Sequence, residues 1–183
     1  MSEYKPNNIH IPEELPLIAL KNVVLFPKVV IPLIVQRPRS VGALEQALIT
    51  NRLIFFVTQK NIEDNIEHKD IFKVGTIGRI ISIFKLPDGS SKVDIEGICR
   101  ASMVDFVDRV SFFRAKITTT RPLGLSDSAE DKALLRHTVD QFKRVSEMRS
   151  HTTILPEIVY AISQIRDVEQ VISLITANLN LEV

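Results

Sequence analysis

VGTIGRIISIFKLPDGSSKVDIEGICR, residues Val74–Arg100, reads as two β-strands folded back on one another at Leu86-Pro87-Asp88-Gly89. Pro87 presets φ for the first central turn position, Asp88 tolerates the bridge region, and Gly89 takes the positive φ of a bulge. On the incoming strand Ile77, Ile81 and Ile83 are spaced for one face, with Arg79 as an awkward member, and Ile80 and Phe84 point the other way. Both faces of that strand therefore expect cover. The outgoing strand alternates cleanly, with Val93 and Ile95 on one face and Asp94 and Glu96 on the other. Gly97 interrupts it where a barrel corner or a bulge is expected. The hairpin makes the chain a β-domain first and a helical protein second.

Around that hairpin, 183 residues suffice for one large domain or for a small domain with a helical annex. Hydrophobic residues are 45% and charged residues 25%, a globular composition. The net charge of +1 supplies no global field for nucleic acid or anionic membrane. Cys99 is the single cysteine, which leaves no intrachain disulfide and no cysteine zinc site, and a reducing, cytoplasmic setting fits. The first residues lack the apolar core of a signal peptide, and no apolar run approaches the ~20 residues of a membrane span.

Upstream of the hairpin, residues 1–13 are polar, carry Pro6 and Pro12, and read as a loose arm. Leu15–Leu20 is a short apolar strand entered through Pro16. Lys21-Asn22 turns the chain into Val23–Val35, where Pro27 and Pro32 exclude one regular central strand. A strand, a loop at Phe26-Pro27-Lys28, and a second strand kinked or at an edge near Pro32 are predicted. Ser40 is the expected N-cap of a helix whose Val41, Leu44, Ala47 and Leu48 recur at helical spacing to about Thr50. Leu53–Thr58 is short and continuously apolar, as a buried strand is. Residues 59–70 are a charged surface loop. Downstream, Ala101–Phe106 extends the sheet and Val110–Thr120 adds a strand. Six or seven strands, one helix and no β-α-β alternation predict a small mixed or antiparallel barrel.

The composition changes at Arg121-Pro122-Leu123-Gly124. The predicted division is a β-domain over 1–120, a linker over 121–127, and a helical part over 128–183. Ser128-Ala129-Glu130-Asp131 resembles a capping box opening a helix to about Arg149, with Leu135, Val139, Phe142 and Val145 as its apolar stripe. Pro156-Glu157 opens a second helix. Asp167 caps a third, in which Val168, Val171, Ile172, Ile175 and Leu179 keep one face apolar. Three such helices make a bundle, and the lack of a terminal cap at Leu181-Glu182-Val183 reads as a fragment of something longer.

No Gly-x-x-x-x-Gly-Lys-Ser/Thr occurs, so a P-loop is absent. Gly75-Thr76-Ile77-Gly78 lacks a third glycine and a following helix, and reads as a strand bend. His10, His68, His137 and His151 have no metal-ligand spacing. Cys99 sits in a strand without a histidine partner in sequence, as a packed small hydrophobe does. Asp94 and Glu96 fit a solvated sheet face, and no Gly-x-Ser-x-Gly elbow appears. The chain itself is read as non-catalytic. Two surfaces qualify for binding. Leu25, Phe26, Pro27, Val29 and Val30 place apolar groups around a proline in a loop, a candidate contact for extended polypeptide; the alternative is that Phe26 and Val30 turn into the core. Arg37, Arg39 and Arg52 form a basic cluster, either a phosphate site or a solvated helix entrance.

In order and spacing these motifs resemble the N-terminal region of the Lon ATP-dependent protease family. The resemblance runs from Leu15-Pro16-Leu17 and Leu25-Phe26-Pro27 through Ile31-Pro32-Leu33, Arg37 and the Ser40 helix. It is strongest at Val74-Gly75-Thr76-Ile77, Leu86-Pro87-Asp88-Gly89 and Glu96-Gly97-Ile98-Cys99-Arg100, and it extends to the Phe142 helix and Leu155-Pro156-Glu157. Lys21 and Cys99 depart from residues common in the family. The resemblance implies an α+β fold, a PUA-like β-barrel followed by the first helices of a helical subdomain. It implies a region that captures unfolded or tagged protein substrates and supports a hexamer. The ATPase and Ser-Lys peptidase, with their ATP and magnesium, lie further along such chains, and no cofactor is expected here. RNA binding by a PUA-like barrel is the reading from another class, and the small net charge argues against it. A freestanding protein of this type with no protease attached is the third.

Overall fold

A computed structural model describes residues 9–61, 63, 66–121, 128–148 and 156–179. The described residues up to Arg121 form one compact unit, and those from Ser128 to Leu179 form a second.

The first unit contains β1 (Glu14–Leu20), β2 (Val30–Val35), α1 (Pro38–Leu48), β3 (Leu53–Thr58), β4 (Val74–Lys85), β5 (Ser91–Asp108) and β6 (Phe113–Thr119). The strands form one sheet in the order β2-β5-β4-β3-β1-β6. β5 is long enough to serve three partners, β2 and β4 along its first part and β6 along its second, Ala101–Asp108. The pairings of β5, β4, β3, β1 and β6 therefore return on themselves, with β2 added outside β5. β1 and β3 are parallel, joined through β2 and α1.

The apolar runs of β1 and β3 are buried on both faces, as central strands require. Alternate residues serve different cores. Leu15, Leu17, Phe55, Ile77, Ala101 and Phe113 belong to a cluster shared by all five ring strands. Ile18, Ile54, Phe56, Ile80 and Ile95 belong to a second cluster closed by Ala43, Leu44 and Ala47 of α1.

The hairpin forms where the sequence places it. Gly89 has φ of 85°, and Asp88 Oδ1 accepts from the backbone N–H of Ser90 at 2.9 Å and from its hydroxyl at 2.6 Å. The Ser90 hydroxyl, followed by its N–H, holds the Asp88 carboxyl below its ordinary range. Three details differ from the sequence reading. Register shifts show Ile81 as an extra residue on β4, so Ile81 is exposed and Ile80 takes the core position. The bulge expected at Gly97 is found beside it, at Ile98, and β5 runs on through it, so that reading stands. Val23–Leu25 is loop, while Pro32 lies on the edge strand β2, opposite Asp94. The N-cap of α1 is Arg37 rather than Ser40, because Pro38, with its fixed φ and no N–H, begins the first turn and Ser40 is buried within it.

The second unit holds α2 (Ala129–Met148), α3 (Pro156–Gln164) and α4 (Val168–Asn178). Asp131 N–H donates to Ser128 Oγ at 3.1 Å, and Gln170 N–H to Asp167 Oδ1 at 2.9 Å, so both caps form as read. Phe142, Ile162, Val171 and Ile175 make its buried core. Leu134, Met148 and Ile172 remain exposed. Arg149, the linker from Pro122 and the end of the chain lie outside the described residues.

Candidate polypeptide-contact site

Residues 21–29, between β1 and β2, run over the sheet and are fastened to it at several points. Asn22 and Lys28 have φ of 53° and 61°, reversing the chain twice. The Thr58 hydroxyl donates to Val23 O at 2.9 Å, and the buried Thr76 hydroxyl donates to Leu25 O at 2.6 Å. Lys28 N–H donates to Gly97 O at 2.7 Å, and Gly97 N–H donates to Val29 O at 2.9 Å. Gly97 is required by proximity: a Cβ there would sit 2.0 Å from Phe26 O. The loop is thereby held as a fixed ridge.

Of the residues predicted to touch polypeptide, Leu25, Pro27 and Val29 are buried, Phe26 is half-buried and Val30 is exposed. Leu25 anchors the ridge in the second apolar cluster. Val30 is 54% exposed and thus does not turn into the core. The outer surface also includes Val23 and Val24, which motif reading left out.

Two clefts flank the ridge and share Leu20. One, of about 240 Å³, lies among Lys21, Val23, Leu33, Ile34 and Arg37. The other, of about 200 Å³, has Val24 and Phe26 along one side, with Val74, Gly75 and Arg100 among its other lining residues. Val74 and Arg100 belong to strands remote in sequence from the loop, and no local pattern marks them. The arrangement offers apolar contact on both sides of the ridge.

Most of the other candidates are occupied by the fold, while Arg52 is exposed, with φ of 60°. The Arg37 guanidinium donates to Ala19 O and, at 2.7 Å, to Gln59 Oε1. Arg39 pairs with Asp108 at 2.6 Å and lies over the Phe113 ring at 4.5 Å. Arg79 meets Glu96 at 2.6 Å, and the Ser82 hydroxyl donates to Asp94 at 2.5 Å, which accounts for the hairpin carboxylates. His68 stacks on Phe106. Cys99 is buried in the ring-strand cluster. Among the described residues no group of three or more His, Cys, Asp or Glu is placed to hold a metal ion, and no helix is long and apolar enough to cross a membrane.

Comparison with known proteins decides the family. Residues 14–183 match the family described as the ATP-dependent protease La (LON) substrate-binding domain. The chain belongs to this family. Among related Lon proteases, that of Trichlorobacter lovleyi is 34% identical over 175 residues, 95% of this chain and 21% of the relative. That of Rhizobium meliloti is 35% identical over 169 residues, 92% of this chain and 21% of the relative. The chain thus spans about a fifth of the length of these Lon proteases. Solved structures share the fold. The N-terminal domain of the Mycobacterium avium complex Lon protease has a TM-score of 0.57 at 15% identity, over 90% of this chain and 97% of that one. The Lon N-terminal domain protein from Xanthomonas campestris has a TM-score of 0.56 at 17% identity, with the same coverage.

Proposed function

We propose that this chain is the non-catalytic, N-terminal substrate-engaging region of a Lon-type ATP-dependent protease, acting in the cytoplasm on unfolded or tagged proteins. In this reading the ring of strands is a PUA-like barrel over 1–120, 121–127 is a linker, and α2–α4 begin a helical bundle. The ridge of Val23, Val24, Phe26 and Val30 touches apolar segments of an unfolded chain, with Leu25, Pro27 and Val29 holding it in place from beneath. The observation that carries the proposal is this apolar ridge, clamped at Thr58, Thr76 and Gly97 and flanked by two clefts, in a chain of the LON substrate-binding family. A rigid apolar surface contacts many sequences weakly and without ordering cost of its own. Useful affinity would come from several copies acting together in a hexamer of the full-length protein, where ATP and magnesium serve the later modules.

The test is binding of a permanently unfolded protein, such as reduced and carboxymethylated lactalbumin, to the 183-residue chain. Phe26→Ala removes a half-buried ring from the ridge and is expected to weaken binding about tenfold, or about 1.4 kcal/mol, with an unchanged circular dichroism spectrum. Equal binding by variant and parent removes the ridge from consideration.

A further inference from the structure

The charges lining the two clefts are one-sided. The charged residues lining the two clefts are Lys21, Arg37 and Arg100, all cationic, and among the described residues no aspartate or glutamate lines either one. The chain as a whole is nearly balanced, with 23 basic and 22 acidic residues, so this is a local arrangement. Arg100 is the informative member. It is exposed on β5, opposite Thr76 of β4, whose hydroxyl holds the ridge at Leu25. Its carbonyl accepts from Thr120 N–H at 2.9 Å. Among the described residues its guanidinium has no hydrogen bond and no ion pair. By contrast Arg39, Arg79 and Arg114 each meet a carboxylate.

We infer that the cleft beside Phe26 selects unfolded segments in which an apolar residue is followed or preceded by an acidic side chain. The apolar residue lies against Val24, Phe26 and Val74, and the carboxylate meets Arg100. This deepens the proposed substrate role and rests on it. The chemistry follows from charge complementarity at a rim: a lone guanidinium beside an apolar wall adds little to raw affinity but discriminates between partners of opposite charge. It also repels basic flanks, so the preference is for one class of apolar segment rather than for all. An extended chain suits it, since successive side chains point to opposite sides and a residue two positions away returns to the same side.

The experiment uses two fluorescent peptides, acetylated and amidated, with one six-residue apolar core and either aspartates or lysines on both flanks. Anisotropy against the 183-residue chain is expected to favour the aspartate peptide about fivefold at low salt, and about twofold at 0.5 M salt, as a solvent-exposed ion pair would. Arg100→Glu is expected to reverse the order, and Arg100→Lys to keep most of it; a purely structural Arg100 would weaken both peptides alike. Equal binding of both peptides, or an order untouched by Arg100→Glu, overturns the inference while leaving the apolar ridge as a substrate surface. If a neutral-flanked peptide with a free C-terminal carboxylate reproduces the whole preference, the ligand is a chain end and the inference about side chains is overturned. If neither the peptides nor unfolded lactalbumin bind, both the inference and the proposed function fall together.

Discussion

Gly97 carries more of the site than any side chain on the ridge does. The Phe26 carbonyl occupies the space where its Cβ would stand, and the next contact, at 2.8 Å, is the Phe26 carbonyl carbon. Neither is the end of a flexible group, so Gly97→Ala must lift the backbone and break the bonds from Lys28 N–H and to Val29 O. A loss of about 1–3 kcal/mol in stability is expected, read as a lower urea midpoint at unchanged slope. Binding of unfolded protein should fall at least as far as in Phe26→Ala. A midpoint equal to the parent's would mean that the ridge is not clamped there. The same contact explains what the sequence could and could not tell about the site. The loop and its apolar character follow from Pro27 and its neighbours. Which of them face outward depends on Gly97, about 70 residues away, and on the Thr76 hydroxyl, about 50 away. No local period encodes that, so Leu25 and Val29 read as surface when they are anchors.

At the scale of elements, the β4–β5 hairpin separates local chemistry from pairing. The turn was readable because Pro87, Asp88 and Gly89 each have one conformational use, and the turn uses all three. The face of Ile81 was not readable, because the bulge is a property of the register with β5 and resets the alternation halfway along the strand. The turn also makes a pH prediction. Asp88 is held below its ordinary range by the Ser90 hydroxyl and N–H, so its folded pKa lies below the unfolded value of about 4. Its contribution is therefore fully present above the unfolded pKa and is lost as pH falls through the folded one. Ser90→Ala removes the larger cause and should raise the Asp88 value toward the ordinary range in a carbon-detected carboxyl titration. The difference in urea midpoint between parent and variant should shrink as pH is lowered from 7 to 2. An Asp88 titration unchanged by the substitution would rule out the hydroxyl as the cause.

For the whole molecule, three apolar clusters share no residue, and they divide as the two units do. This α+β division was visible in sequence as a shift from short apolar runs to helical spacing near Arg121. The return of β6 onto β5 was not, since its partners are set by three-dimensional closure and not by periodicity. Among the described residues the helical unit rests on four buried apolar side chains, of which Phe142 is the largest. A unit of this size has a net stability of only a few kcal/mol, while Phe→Ala in a core costs about 3–5 kcal/mol. Phe142→Ala should therefore unfold α2–α4 at 25 °C. Ellipticity at 222 nm should fall to a small helical remainder, because α1 with its eleven residues belongs to the other unit. Methyl resonances of Ile77 and Ile95, one in each cluster of the strand unit, should keep their positions, since neither cluster contains a residue from α2–α4. Binding of unfolded protein to the ridge should survive. Loss of the Ile77 and Ile95 signals together with the helices would show that the strand unit depends on the helical one, and that the ridge cannot be treated as a site complete within residues 9–121.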